Sequence, residues 1–179
     1  MPPLQFGSGG EMNYNDHIPE SWEKAREQIH LWQNNGKKIV FTNGCFDILH
    51  VGHIRYLKGA RNMGDYLVVG LNTDDSVKRL KGASRPYQSE CDRAEILRAL
   101  RFVDLVVLFS QDTPLEIITY LKPDILIKGG DYRIETIVGA REIMSWGGKV
   151  LTLPFVPEKS TSNLLLKIEK QIRENSHNH

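Results

Sequence analysis

The stretch that decides the fold runs from residue 41 to residue 53 and reads Phe41-Thr42-Asn43-Gly44-Cys45-Phe46-Asp47-Ile48-Leu49-His50-Val51-Gly52-His53. The apolar run that leads into it, residues 38–42, has the character of a buried strand, and Asn43-Gly44 breaks that run. A helix is expected over residues 51–62, so that two histidines lie at its start. Because residues three apart share one face of a helix, both imidazole rings can reach the same ligand.

Outward from this junction, short apolar runs alternate with segments of helical periodicity. Strands are predicted at residues 38–42, 66–71, 104–109, 124–127 and 149–153. Helices are predicted at residues 20–33, 51–62, 90–100, 114–121, 137–146 and 161–173, and residues 72–88 are predicted to form an irregular loop with a short helix. Apolar strands that alternate with helices are typical of a parallel sheet covered on both faces. The sequence therefore predicts an α/β fold, a doubly wound, Rossmann-like five-stranded parallel sheet whose ligands lie beyond the carboxyl ends of its strands.

The length and composition of the chain indicate one globular domain. A chain of 179 residues fits a single domain at residues 20–175, with a loose arm at residues 1–19 and a short tail at residues 176–179. A net charge of +1 argues against a nucleic-acid binder with a strongly basic surface. No apolar run approaches the ~20 residues that span a bilayer, and the start does not resemble a signal peptide. With two cysteines and no CxxC pair, we expect a cytoplasmic protein with free thiols and no membrane partner.

The junction between the first strand and its helix is a candidate phosphate site. The amino end of a helix offers unpaired N–H groups and a partial positive charge, which attract phosphate. Gly44 permits a tight turn that brings further amides to the same place, and Gly52 permits close approach of backbone or ligand. The alternative, two histidines without a ligand, is disfavoured because the pair flanks a glycine at a strand end. A zinc site is not predicted, since His-x-x-His here lacks the glutamate of a zincin helix and a cysteine cluster.

These residues carry a resemblance to a known family. The stretch resembles the signature Thr-x-Gly-x-Phe-Asp-x-x-His-x-Gly-His of the cytidylyltransferase-like nucleotidyltransferases, with every fixed position present. Further segments agree with it, namely Asn72-Thr73-Asp74-Asp75, Lys78-Arg79-Leu80-Lys81-Gly82, Arg85-Pro86, Lys128-Gly129-Gly130-Asp131-Tyr132 and Ser160-Thr161-Ser162-Asn163. Together they look most like the adenylyltransferase domain of bacterial D-glycero-β-D-manno-heptose 1-phosphate enzymes, from about residue 37 to residue 172.

The resemblance implies a reaction and its partners. A phosphate oxygen of heptose 1-phosphate would attack the α-phosphorus of ATP, giving ADP-heptose and pyrophosphate. Mg²⁺ or another divalent cation would accompany the triphosphate, and a sugar kinase is expected as a separate chain. The resemblance also allows a homodimer. Two alternatives stay open, a cytidylyltransferase that acts on glycerol 3-phosphate or another phospho-alcohol, and a non-catalytic nucleotide sensor.

The resemblance also assigns candidate site residues. The catalytic set is His50, His53, Lys81, Ser160 and Thr161. Contacts to nucleotide and phosphate are expected from Thr42, Asn43, Gly44, Phe46, Gly52, Lys78, Lys128, Asp131 and Lys159. Contacts to the acceptor are expected from Asp47, Asp74 and Arg85, although an Asx turn is a competing use of Asp47.

Two of these groups have an expected place in the fold. Lys78, Lys81 and Arg85 are expected on a mobile loop that follows the second strand and acts as a lid. Ser160 and Thr161 are expected to cap the last helix and present its amino end to the β- and γ-phosphates. The family often has an arginine three residues further on, where this chain has Leu164, and Lys159 would supply the missing charge.

Rival nucleotide-binding classes lack their motifs. The chain has no Gly-x-Gly-x-x-Gly after a strand, which an NAD-dependent oxidoreductase needs, and no P-loop. Class I aminoacyl-tRNA synthetases share a His-x-Gly-His element but need further domains that bind tRNA.

Overall fold

A computed structural model describes residues 21–130, 132–154 and 161–176, with side chains of the last segment described at residues 165–174. The arm predicted at residues 1–19 and the tail predicted beyond Ser176 lie outside the described residues, as do Asp131, Lys159 and Ser160. Within the described segments, no helix has the length and apolar character that crossing a membrane requires.

Five strands and seven helices alternate along the described chain. The strands are β1 Ile39–Gly44, β2 Tyr66–Asn72, β3 Leu105–Phe109, β4 Ile125–Gly129 and β5 Lys149–Leu153. The helices are α1 Trp22–Asn34, α2 Val51–Arg61, α3 Asp74–Lys81, α4 Glu90–Arg98, α5 Leu115–Leu121, α6 Ala140–Ser145 and α7 Thr161–Ser176. A short 3-10 turn, Ile134–Thr136, precedes α6.

All strand pairs are parallel, and the sheet order is β3-β2-β1-β4-β5. This confirms the predicted doubly wound, five-stranded parallel sheet. From β1 the chain builds outward through β2 to β3, and then returns to place β4 on the other side of β1. The switch point of the topology therefore lies between β1 and β4, which is where doubly wound sheets bind their ligands.

The sheet is buried on both faces, as its unbroken apolar strands require. Consecutive strand residues point to opposite faces, so that Val40 packs on one side with Leu57 of α2, and Phe41 on the other side with Ile29 of α1. Both strand residues are fully buried. Helices α1, α5 and α6 cover the Phe41 face, and α2 and α4 cover the Val40 face.

Helix α1 is fixed to its own domain by its two tryptophans. Ser21 caps the helix by accepting a hydrogen bond from the Lys24 amide. The Trp22 indole donates to the Leu108 carbonyl at 2.7 Å, and the Trp32 ring stacks on Tyr66 with centroids 4.0 Å apart. These contacts fasten α1 against the ends of β2 and β3.

Several predicted boundaries and one predicted loop differ from the structure. Strands β1 and β4 each extend two residues further, to Gly44 and Gly129, because their parallel pairing continues onto β2 and β5. Helix α6 begins only at Ala140, because Gly139 has a left-handed backbone with φ of 87°. The expectation that Lys78 and Lys81 lie on a loop is wrong, since residues 74–81 form α3 under a Thr73 cap. Residues 82–89 alone connect α3 to α4 as a loop.

Candidate active site

A cavity of about 530 Å³ opens at the carboxyl ends of four strands. The strand ends contribute Asn43 and Gly44 of β1, Asn72 of β2, Phe109 of β3, and Lys128 and Gly129 of β4. Helix α2 contributes His53 and Tyr56, and helix α3 contributes Leu80 and Lys81. The cavity thus lies at the edge of the sheet that its topology predicts, across the switch point between β1 and β4.

The two histidines at the start of α2 cap the helix reciprocally. The His50 Nδ1 atom accepts a hydrogen bond from the Gly52 amide at 3.1 Å, and the His53 Nδ1 atom accepts one from the His50 amide at 3.3 Å. The ring centroids are 3.9 Å apart. Because each Nδ1 atom is an acceptor, each neutral ring carries its proton on Nε2. The cap therefore fixes both tautomers and makes Nε2–H the donor that each ring can offer to a ligand.

The environment of these rings favours the neutral form. Burial, with smaller electrostatic contributions from His50 and Lys81, lowers the pKa of His53 from 6.5 to about 4. Burial also lowers the pKa of His50. Both imidazoles are consequently neutral near pH 7, and they act as hydrogen-bond donors rather than as cations.

Gly44 and Phe46 set the position of His53. Phe46 adopts a left-handed backbone with φ of 44°, and its buried ring meets the His53 ring edge-on at 5.5 Å. A Cβ atom at Gly44 would lie 3.0 Å from the Phe46 ring, so the glycine leaves room for that ring. The proposed phosphate contacts of Gly44, Gly52 and the Phe46 amide stay predictions. Gly52 is buried, and its amide already donates to His50.

Lys128 and Asn43 join the two strands at the switch point. The Lys128 ammonium donates to the Asn43 side-chain oxygen at 2.9 Å, and both residues line the cavity. Burial lowers the pKa of Lys128. A partly buried ammonium group here is suited to bind an anion, and its predicted contact with phosphate stays a prediction.

Thr42 is placed differently from the prediction. Its side chain is fully buried, and its hydroxyl lies 2.6 Å from the Tyr56 hydroxyl, which itself donates to the Ile127 carbonyl at 3.1 Å. Thr42 is therefore the donor to Tyr56 and does not reach the cavity, which corrects its assignment as a phosphate contact. Burial raises the pKa of Tyr56 to about 12, while the Thr42 hydrogen bond lowers it. Sequence reasoning missed Tyr56, although it follows His53 by three residues on the same helix face.

Asp47 and Arg85 bind each other. The Asp47 carboxylate is 3% exposed, and one of its oxygens accepts from the Tyr87 and Gln88 amides at 2.7 and 3.1 Å. Its other oxygen lies 2.8 Å from the Arg85 guanidinium, which also covers the Tyr87 ring. Neither residue lines the cavity, so the structure uses both to fasten the loop at residues 82–89 to the strand–helix junction. Contacts of Asp47 and Arg85 with an acceptor, and a mobile lid that carries Arg85, stay predictions.

Asp74 belongs to a second buried connection. Arg93 is 1% exposed and donates to the Cys45 carbonyl at 2.6 Å, to the Asp74 carboxylate at 2.7 Å and to the Gln88 carbonyl at 3.1 Å. The guanidinium thus joins the strand–helix junction, the start of α3 and the loop before α4. The sequence left the role of Arg93 open, and the structure shows it as a positioning group. A contact of Asp74 with an acceptor stays a prediction.

The lysines of α3 have different surroundings. Lys81 lines the cavity, and its charge acts on His53. Lys78 is exposed, pairs with Asp75 at 3.2 Å and does not line the cavity. Of the predicted residues, the structure therefore brings together Asn43, Gly44, Phe46, His53, Lys81 and Lys128.

Several lining residues were missed or lie outside the description. Asn72, Asp112 and Tyr132 line the cavity, and each follows or ends a predicted strand, which was the available signal. Thr161 begins α7, but its side chain is not described, and the capping role proposed for Ser160 and Thr161 stays a prediction. Within the described segments, no group of three or more histidine, cysteine, aspartate or glutamate side chains could hold a metal ion.

Comparison with known proteins assigns the family. The cytidylyltransferase-like family matches residues 41–165. The chain is 54% identical to the bifunctional protein HldE of Magnetococcus marinus over 151 residues, which cover 84% of this chain and 31% of that protein. It is 53% identical to the HldE of Methylobacillus flagellatus over 141 residues, covering 79% of this chain and 29% of that one. The chain thus spans about a third of the length of these curated relatives.

Solved structures agree with this assignment. The lipopolysaccharide core biosynthesis protein from Thermoplasma volcanium superposes with a TM-score of 0.54 at 32% identity, over 68% of this chain and 98% of that one. Pantothenate synthetase from Thermus thermophilus superposes with a TM-score of 0.55 at 14% identity, over 78% of this chain and 61% of that one, and shows likeness of fold alone. The chain belongs to the cytidylyltransferase-like family.

Proposed function

We propose that this member of the cytidylyltransferase-like family transfers a nucleoside monophosphate from a nucleoside triphosphate to a sugar phosphate. The observation that carries the proposal is the reciprocal cap of His50 and His53, which holds two neutral imidazoles at the start of α2, with His53 lining the cavity at the switch point of the sheet. The cavity also holds Lys81 and Lys128, so its charge suits a polyphosphate.

The proposed reaction needs positioning and charge stabilisation. A phosphate oxygen of the acceptor forms a bond to the α-phosphorus, the bond from that phosphorus to the bridging oxygen breaks, and pyrophosphate leaves with the electron pair. Because the nucleophile is already an anion, a general base is not required. Negative charge grows on the oxygens around the α-phosphorus, where fixed donors lower the barrier. The Nε2–H groups of His50 and His53 supply such donors, and Lys81 and Lys128 supply positive charge.

Magnesium enters this reaction as part of the substrate. Mg²⁺ is commonly bound by one or two carboxylates together with phosphate oxygens and waters, and the triphosphate brings the phosphate oxygens. The cation then neutralises charge on the phosphates, while the side chains of this chain orient them.

The substrates that we propose are ATP and heptose 1-phosphate, with ADP-heptose as the product. The support is the identity of 54% to a protein named HldE and of 32% to a lipopolysaccharide core biosynthesis protein. In this proposal the product is used for lipopolysaccharide or a related glycan. A sugar kinase supplies the sugar 1-phosphate, and the reaction takes place in the cytoplasm.

The test is a matrix of three nucleotides and three acceptors. ATP, CTP and GTP are each combined with heptose 1-phosphate, glycerol 3-phosphate and phosphocholine, and pyrophosphate release is measured. The proposal expects release with ATP and heptose 1-phosphate. Release with CTP and glycerol 3-phosphate alone would overturn the substrates but leave the reaction class, whereas tight nucleotide binding without release from any pair would favour a sensor.

A further inference from the structure

The two ends of the cavity differ in chemistry. The end at β4 holds Lys128 and Gly129, with Tyr132 following the strand. The end at β3 holds Asp112 together with Phe109. Because β3 lies three strand positions from β4, these ends are separated by about 14 Å in the plane of the sheet. That length accommodates two ligands, one at each end.

Asp112 is the single carboxylate among the described residues that line the cavity. Its side chain is 71% exposed, and its Oδ1 atom accepts a hydrogen bond from the Arg79 Nε atom at 2.7 Å. A carboxylate repels phosphate, so its presence beside a phosphate site suits neutral hydroxyl donors instead. Two carboxylate oxygens can accept hydrogen bonds from neighbouring hydroxyl groups, which is an arrangement that sugars present.

The loop that carries Asp112 is held in place by α3. The Arg79 guanidinium donates to the Ser110 carbonyl as well as to Asp112, and the Ser76 hydroxyl donates to the Gln111 carbonyl at 3.2 Å. Ser76 is itself fixed by a hydrogen bond of 2.9 Å from the Asn72 amide. The carboxylate is thus presented from a loop fixed at three points. Such preorganisation lowers the entropy that a binding group loses when its ligand arrives.

Apolar side chains beside Asp112 complete a surface for a sugar. Leu80, Phe109 and Pro114 line the same end of the cavity. The C–H groups of a sugar can pack on such side chains while its hydroxyls meet the carboxylate. Lys81 lines the same cavity and its charge acts on His53, so it can attract the acceptor phosphate toward the α-phosphorus.

We infer that Asp112 binds neighbouring hydroxyl groups of the acceptor sugar and selects polyhydroxylated sugar phosphates over short phospho-alcohols. The inference rests on the proposed function, because it places the nucleotide at the β4 end and the acceptor at the β3 end. It assigns a specificity-determining role to a residue that the sequence analysis did not single out.

The test is Asp112→Asn in the full chain, with KM measured separately for heptose 1-phosphate and for ATP. We expect KM for the sugar phosphate to rise ~10-fold or more, as for the loss of a hydrogen bond to a charged group, and KM for ATP to change less than ~2-fold. Asp75→Asn is the matched control, because it removes the same charge from an exposed residue of α3 outside the cavity. Both KM values should stay unchanged in that control.

Two outcomes would overturn the inference. A rise in KM for ATP alone would mean that the Asp112 carboxylate contacts the ribose of the nucleotide. Unchanged KM values for both substrates would mean that Asp112 contacts neither of them. Calorimetric titration of both proteins with heptose 1-phosphate separates this inference from the proposed function. If the wild type binds the sugar phosphate without releasing pyrophosphate, the proposed function fails, yet ~10-fold weaker binding to the variant still supports the role of Asp112. Equal binding to both proteins overturns it.

Discussion

At the scale of the residue, the two histidines at the start of α2 combine helix capping with a neutral, hydrogen-bonding form. Each uses Nδ1 to cap the backbone of α2, and burial favours the neutral form of both. The same hydrogen bonds that begin the helix therefore fix the tautomer of both rings, and Nε2–H is the donor that remains on each. In the proposed reaction, capping and catalysis are coupled, because a ring that leaves its cap also loses the tautomer that donates.

Removal of one ring should affect turnover far more than folding. His53→Ala deletes one Nε2–H donor, and we expect kcat to fall by ~10²-fold or more, the scale of losing a preorganised electrostatic donor. The variant also loses a cap hydrogen bond, which should cost about 1 kcal/mol of unfolding free energy. Pyrophosphate release and urea unfolding measure the two effects. His30→Ala, on the exposed side of α1, is the control, and near-normal turnover of His53→Ala would contradict the assigned role.

The lowered pKa of His53 predicts how stability depends on pH. The folded protein binds this proton with a pKa of about 4, whereas the unfolded chain binds it near 6.5. Between these values the unfolded chain holds more protons, so the stabilisation is fully present above pH 6.5 and is lost as the pH falls toward 4. We expect the unfolding free energy to fall by about 1 to 3 kcal/mol over this window. His53→Asn should flatten the profile, and an unchanged slope in urea titrations at pH 7, 6 and 5 would refute this origin.

Some of these residues could be identified from sequence and others could not. Local spacing correctly predicted that His50 and His53 lie at the start of α2 and that Lys128 lies near the carboxyl end of β4. Thr42 carries the same signature, yet its hydroxyl binds Tyr56, a partner that only the packing of α2 on β1 brings near. Asp112 follows β3 by three residues, but only the folded chain shows that its carboxylate lines the cavity and pairs with Arg79.

At the scale of the element, the loop between α3 and α4 is tied to the strand–helix junction by two buried polar groups. Asp47 accepts hydrogen bonds from two backbone amides of the loop. Arg93 donates to the Gln88 carbonyl in the loop, to the Cys45 carbonyl and to the Asp74 carboxylate. The sequence showed glycine, proline and basic residues here, which are typical of a mobile loop. It could not show these long-range hydrogen bonds, which fix Tyr87 and Gln88 of the loop in this structure.

Arg93 therefore predicts a large loss of stability. Arg93→Met keeps much of the side-chain volume but leaves two carbonyls and the Asp74 carboxylate without this donor. Because breaking a buried charged pair from one side is strongly unfavourable, we expect the unfolding free energy to fall by about 3 kcal/mol. Arg101→Met, at an exposed position just beyond α4, should change it by less than about 0.5 kcal/mol. Equal effects of both variants in urea denaturation would show that the buried hydrogen bonds are not the cause.

At the scale of the whole molecule, the fold was predictable because its rules are few. Five apolar strands alternating with helices leave a parallel sheet as the solution, and right-handed crossovers restrict its topologies. Composition was less informative about the site. A net charge of +1 seemed to disfavour an anionic ligand, yet the cavity places Lys81 and Lys128 together at one edge of the sheet. A neutral average is thus compatible with a small polyphosphate site.

The strand pairing at the centre of the sheet, between β1 and β4, is short. β1 pairs with β2 through six registered residue pairs but with β4 through two, Val40 with Ile125 and Phe41 with Leu126. Beyond this short ladder, the hydrogen bond from Lys128 to Asn43 is a link between the two strands at the mouth of the cavity. A ligand at the switch point would contact both β1 and β4 and so stabilise the pairing between them.

We therefore expect ATP with magnesium to stabilise the pairing of β1 with β4 more than the rest of the sheet. At 100 times its dissociation constant, the nucleotide should raise the unfolding free energy by about 2.7 kcal/mol. Hydrogen exchange should slow most at the carboxyl ends of β1 and β4, near Asn43 and Lys128, and least along β2 and β3. Lys128→Met should reduce both effects, whereas Lys149→Met, at the exposed amino end of β5, should leave them intact. Uniform protection of all five strands would mean that the ligand stabilises the whole domain. It would contradict the expectation that the pairing of β1 with β4 is stabilised most.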